Sequence, residues 1–207
     1  MQADDIEALF TRETGAYYFA RWGRPIAPIV FGVTDETLAV VKGALEAVMV
    51  LSGHKMAETD PELGSNLMIF FFREWDELPQ VPDLDRLIPE LGPLLDKLKA
   101  ADANQYRILH FDPNEAIKAC FVFLRMDAEL SAVPAETLAL SQIVQSILLW
   151  SDTAFRTTSP LAVLGGKTIL RPEISTLIRA AYDPVLPACA RDPSHALRLA
   201  ARIGQMQ

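Results

Sequence analysis

Residues 137–152, TLALSQIVQSILLWSD, decide how the chain is read. Leu138, Leu140, Ile143, Val144, Ile147 and Leu148 make the stretch apolar over most of a helical surface, so it reads as a helix buried on most sides. Ser141, Gln142, Gln145 and Ser146 interrupt it as one compact polar block. Buried polar groups need partners. The block is therefore an active site, the remains of one, or a local packing solution.

The elements around it follow from pattern. Upstream, IAPIVFGV (26–33) reads as a strand with a buried run. In the next segment Leu38, Val41, Leu45, Val48 and Leu51 recur at helical spacing. Thr34 or Asp35 caps that helix and Gly53 ends it. NLMIFFFREW (66–75) is nearly continuous in its apolar character, as an internal strand would be. The Pro-punctuated, leucine-rich residues 79–104 read as one or two short helices inserted between strands. QYRILHF (105–111) and IKACFVFLRM (117–126) flank a turn carrying Asp112, Pro113 and Asn114, which predicts a hairpin. Downstream of the opening helix a loop is expected over 151–170. Helices follow at 171–184, with Pro172 in the first turn, and at 194–203.

The order is β-α-β-(α)-β-β-α-α-α. It predicts an α/β (α+β) fold built as a single domain over 1–207. A β-α-β part occupies 20–130 and a helical part 131–207. The sheet is mixed, with about four strands, a buried helix after the last of them, and further C-terminal helices. No segment is rich enough in Gly, Ser or Pro to divide the chain.

Composition narrows the function classes. Among 207 residues, 50% are hydrophobic and 22% charged, a globular balance with a formal net charge of −8. The 19 Lys and Arg are scattered rather than clustered, which argues against a nucleic-acid partner. The longest apolar runs, LMIFFF and SILLW, are far short of a membrane span. The start, MQADDIEALF, has no basic region followed by an apolar one. It fits a cytosolic protein, or a mature N-terminus left after removal of a signal peptide. Cys120 and Cys189 have no metal spacing; they read as two free thiols or, in an oxidising compartment, one disulfide.

Familiar catalytic motifs are missing. LGGKT (164–168) resembles the end of a phosphate-binding loop, but Leu161 stands where the first glycine should be, so the pair reads as a glycine turn before a helix. His54, His110 and His195 do not pair at metal spacing and read as structural or solvated. His54 follows the glycine at a helix end, where the dipole suits a partly charged imidazole. No G-x-S-x-G marks a nucleophile. The acidic stretches at 60–66 and 76–86 lack calcium-loop spacing and read as solvated turns and helix starts.

The C-terminal half resembles a bacterial family known as domain of unknown function 2927. There a helix ends in a Q-x-L-G-L-x-N-D-like phrase, and after a loop a second helix closes on L-Y-D-P. Gln145, Ile147, Leu149 and Asp152, then Tyr182, Asp183 and Pro184, match those phrases. Leu148 replaces the usual glycine and Ser151 the usual asparagine, so the chain looks like a divergent member. RWGRPIAPIVFGV resembles the family's first strand.

That family is similar to the zincins, metalloproteases whose mixed sheet precedes a helix carrying H-E-x-x-H. In this frame Ser141 and Gln145 occupy the zinc-ligand positions and Gln142 the base position. Neutral amide and hydroxyl oxygens are poor zinc donors, and an amide takes no proton from water. The resemblance thus implies a zincin-like domain with a degenerate site, no cofactor and no catalytic residues. It would be a binding or structural module, exported to the periplasm or beyond rather than cytoplasmic, with a protein partner or a second copy as its company. The alternative is a hydrolase using other residues of the same cleft, such as Ser141. A third reading, a cytosolic doubly wound α/β domain, requires a parallel sheet and no helix beneath it at 137–150.

Overall fold

A computed structural model describes residues 1–206. In chain order the elements are α1 (Ala3–Phe10), β1 (Phe19–Ala20), β2 (Pro28–Phe31), α2 (Asp35–Ser52) and β3 (Leu67–Phe72). A 3-10 turn (Trp75–Gln80), α3 (Leu84–Leu87) and α4 (Leu91–Ala100) come next, then β4 (Gln105–Phe111) and β5 (Ile117–Arg125). The C-terminal part holds α5 (Ala128–Ser131), α6 (Ala135–Ile147), β6 (Leu161–Leu164), β7 (Lys167–Leu170), α7 (Pro172–Ala181), β8 (Cys189–Ala190) and α8 (Ser194–Gln205).

The main sheet has the order β2-β3-β5-β4. β2, β3 and β5 run parallel, and β4 closes one edge antiparallel to β5. The class is therefore α/β with a mixed four-stranded sheet, and α6 packs into the same core as one of its faces. This is not a doubly wound parallel sheet. β3 is internal because its alternate side chains are buried on both faces. Leu67 and Ile69 belong to the cluster that holds α2, α6 and α7, while Met68, Phe70 and Phe72 belong to the one that holds the 3-10 turn, α3 and α4. The hairpin β4–β5 carries the turn expected at 112–116.

α2 forms where the capping residues and the apolar stripe place it. Thr34 Oγ1 accepts the Thr37 N–H (3.4 Å), and Gly53 ends the helix in the left-handed region (φ 69°). Val41, Leu45 and Val48 are buried, whereas Leu38 stays 41% exposed.

Several expectations are corrected. The strand expected at 26–33 covers only Pro28–Phe31 and lies at an edge, with Ile29 and Phe31 partly exposed rather than in a buried run. The opening helix ends at Ile147, because Leu148 turns extended to bridge Arg21. Residues 151–170 are not only a loop: they include the hairpin β6–β7. Its turn is Gly165-Gly166, both at positive φ (57° and 76°), so this glycine pair reverses a hairpin instead of preceding a helix. α1 and the short pair β1–β8 had no counterpart in the sequence reading; Ile6 and Phe10 of α1 bury against the same core as Leu199 and Ile203 of α8. Cys120 and Cys189 are free thiols, not a disulfide.

Candidate functional site

The polar block of α6 finds its partner on β4. Odd-numbered residues of β4 face α6, which places Arg107 between Leu109 and Gln105 on that side. Arg107 Nη2 donates to Gln142 Oε1 (2.6 Å), and Nε donates to Ser146 Oγ (3.1 Å). Gln142 Nε2 reaches Gln105 Oε1 (3.0 Å), and Ser146 Oγ donates back to the Gln142 carbonyl (2.7 Å). Gln145 Nε2 donates to Ser141 Oγ (2.9 Å), one turn earlier on the helix. The block is thus a satisfied network closed by one guanidinium, which meets the demand that buried polar groups be paired.

Burial depresses the Arg107 pKa. Cys120 lies close enough to feel that charge and to hydrogen-bond Ser146, yet its own burial pushes the thiol up to about 11. Cys120 is accordingly a protonated core thiol and not a nucleophile.

The end of α6 is fixed by three aromatic donors. Trp150 Nε1 donates to the Val144 carbonyl (2.8 Å), Trp22 Nε1 to Ser146 (2.8 Å), and the Tyr182 hydroxyl to Ile147 (2.8 Å). These carbonyls belong to the last turn, where a helix leaves its acceptors unpaired. Here lies the physical role of Tyr182: it is buried, it anchors α7 to α6, and it also accepts the Trp22 backbone N–H (3.3 Å). Desolvation raises its pKa, so it stays a neutral donor. Asp183 pairs with Arg202 and accepts the Val185 N–H (2.9 Å); those partners hold its carboxyl below the usual range. Pro184 lies in the exposed turn that follows. Asp152 Oδ1 accepts the Glu13 N–H (3.0 Å) and ties the segment after α6 to the N-terminal strap.

A cleft of about 400 Å³ opens beside this network. Arg107, Leu109 and Phe111 of β4 form one wall, and Gln145 with residues 149–152, Ala154 and Phe155 forms the other. Arg12 and Tyr18 of the N-terminal strap complete it. Of the expected site residues, Gln145 and Asp152 line the cleft; Gln142 is buried behind it against Arg107. Ser141 sits beside Gln145, while Tyr182, Asp183 and Pro184 belong to the supporting α7 end.

The histidines lie elsewhere. His195 is 2% exposed and shares a hydrogen bond between Nδ1 and the Tyr17 hydroxyl (2.9 Å). His110 stacks edge-on against Phe121, on the far side of the sheet. His54 Nε2 contacts the Arg24 carbonyl (2.9 Å), and burial lowers its pKa, so desolvation outweighs the helix-end field expected to favour a charged ring. Asp60, read as part of a solvated turn, is instead 4% exposed: it accepts the Glu62 and Leu63 N–H groups and the Asn66 amide.

Among the described residues no three His, Cys, Asp or Glu side chains converge as metal ligands. Arg107, which no sequence motif marks, lines the cleft and closes the network. A lone arginine at an inward position of an apolar strand was its only signal. Compared with protein-family models, with curated proteins and with solved structures, the chain matches none.

Proposed function

We propose that the chain is a non-catalytic, zincin-like binding domain whose metal site has been replaced by an arginine-centred polar network. The element order supports the reading: a mixed sheet with one antiparallel edge strand comes first, then a helix on which Ser141, Gln142 and Gln145 fill the H-E-x-x-H frame. The observation that carries it is Arg107. Its guanidinium occupies the Gln142 side chain, so a fixed positive charge stands where a zincin would orient its general base. A cation beside that charge is repelled. The donor set itself does not fit zinc, since it offers one hydroxyl and two amides.

The hydrolase alternative gains no comparable support. Ser141 Oγ accepts from the Gln145 amide, which is not a base, and no histidine lines the cleft. Export to the periplasm or beyond remains part of the proposal and rests on the family resemblance.

Metal analysis tests the reading directly. Protein purified from zinc-supplemented medium and passed over a desalting column is expected to carry well under one equivalent of zinc. Stoichiometric zinc, lost in a Ser141→Ala/Gln145→Ala variant, would overturn it.

A further inference from the structure

The cleft beside α6 has an electrostatic character that the chain as a whole lacks. The protein carries a net charge of −8, yet two arginines line this one cavity. Seven of the thirteen arginines are ion-paired, and Arg12 and Arg107 are among the six with no carboxylate within ion-pair distance among the described residues. Arg107 spends Nε and Nη2 on Ser146 and Gln142. Its Nη1 makes no hydrogen bond within the protein and is not among the sealed, unpartnered atoms, which leaves it open to the cleft. The network that fixes Nε and Nη2 also fixes the plane of the guanidinium, and a held guanidinium loses little freedom on meeting an oxyanion.

The remaining walls define the rest of the ligand. Phe111, Trp150 and Phe155 supply aromatic surface, with Trp150 and Phe155 edge to face at 4.9 Å. The Tyr18 ring lies beside Phe111 (5.5 Å). The volume suits a small molecule. Asp152 at the cleft adds one negative charge, which disfavours a dianion such as phosphate and leaves the balance suited to a single carboxylate.

We infer that this cleft binds a small aromatic carboxylate, with the anion on Arg12 and Arg107 and the ring against Phe111, Trp150 and Phe155. The inference rests on the metal-free reading of the α6 site and names what that site would take. The probe is benzoate, titrated into the purified chain in EDTA while tryptophan fluorescence is followed. Saturable binding in the millimolar range or tighter is expected, a modest affinity in keeping with so small a ligand. Benzyl alcohol, which keeps the ring and lacks the charge, should bind at least about tenfold more weakly, the loss of a charge-assisted contact. Arg12→Gln should weaken benzoate about fivefold or more without moving the melting temperature, because the Arg12 side chain makes no ion pair within the described chain. Arg107→Lys keeps the charge but loses the fork and should weaken benzoate as well.

Three results would overturn the inference: no saturable benzoate signal, equal binding of benzyl alcohol, or an Arg12→Gln variant that binds benzoate as the parent does. Inorganic phosphate binding as tightly as benzoate would overturn the assignment of an aromatic ligand. Failure of the metal-free reading is read separately, because it appears as bound zinc before EDTA is added and not as a lost benzoate signal.

Discussion

The two faces of the central sheet are built to different rules. The face toward the 3-10 turn, α3 and α4 is aromatic and dry: Phe70, Phe72 and Phe123 stack on one another, with centroids 5.3–6.4 Å apart. The face toward α2, α6 and α7 admits polar groups, among them Arg107, Gln142 and Ser146, which hydrogen-bond one another. Dry packing contributes stability through burial alone, whereas a satisfied polar network fixes geometry at little net gain. The contrast teaches that the cleft lies on the face where stability was held level and orientation was specified.

Four tests probe that contrast. The largest effect is expected on the dry face. Phe123→Ala removes a side chain with no exposed surface and should cost about 3–5 kcal/mol, read as a fall in the denaturant midpoint. Next comes a pH effect on the polar side. Burial holds the His195 imidazole down to about 4, against about 6.5 in an unfolded chain. A folded pKa lowered in this way contributes stability that is complete above pH ~6.5 and is lost as pH falls toward 4. The loss should approach roughly 3 kcal/mol in urea titrations, and His195→Gln should flatten the slope in that window.

Arg107→Met should cost about 1–3 kcal/mol, since it leaves the Gln142 and Ser146 side chains short of a partner. Adding Gln142→Leu should recover much of that loss, because replacing both partners by apolar groups removes the desolvation penalty as well. If the double variant is less stable than either single one, the network is a source of stability and the contrast between the faces fails. The smallest effect is at the exposed N-terminal end of α2. Thr34→Ala removes the α2 cap and should lower stability by about 1 kcal/mol or less, given the long 3.4 Å cap bond.

How much of this was legible in the sequence depended on whether the signal was local. α2 was legible because its cap, stripe and terminating glycine lie within twenty residues of one another. The β4–β5 hairpin was legible through its turn residues, and the central place of β3 through its unbroken apolar run. The β6–β7 hairpin was missed although Gly165-Gly166 is a strong hairpin signal. Val163 and Leu164 near its tip are exposed, so its strands lack the inward-outward alternation that marks a half-buried sheet. α1 was missed because its two buried residues, Ile6 and Phe10, acquire meaning only in tertiary contact, Phe10 stacking on Trp150 and the helix packing near α8, far away in sequence. In the site, the polar block on α6 was visible, but its partner was not. The pairing of Gln142 with Arg107 spans 35 residues and depends on the register of β4, which no local pattern encodes.

The aromatic capping of α6 makes the chain its own spectroscopic instrument. Two of its three tryptophans, Trp22 and Trp150, have their indole N–H bound to carbonyls at the end of α6, while Trp75 sits in the aromatic core with its N–H on the Ala103 carbonyl (2.7 Å). Each side of the sheet thus carries a separate emitter. Replacing Trp75 by Phe leaves a signal from the cleft side alone, and replacing the other two leaves one from the opposite side. The two halves of the molecule can then be watched unfolding together or in turn.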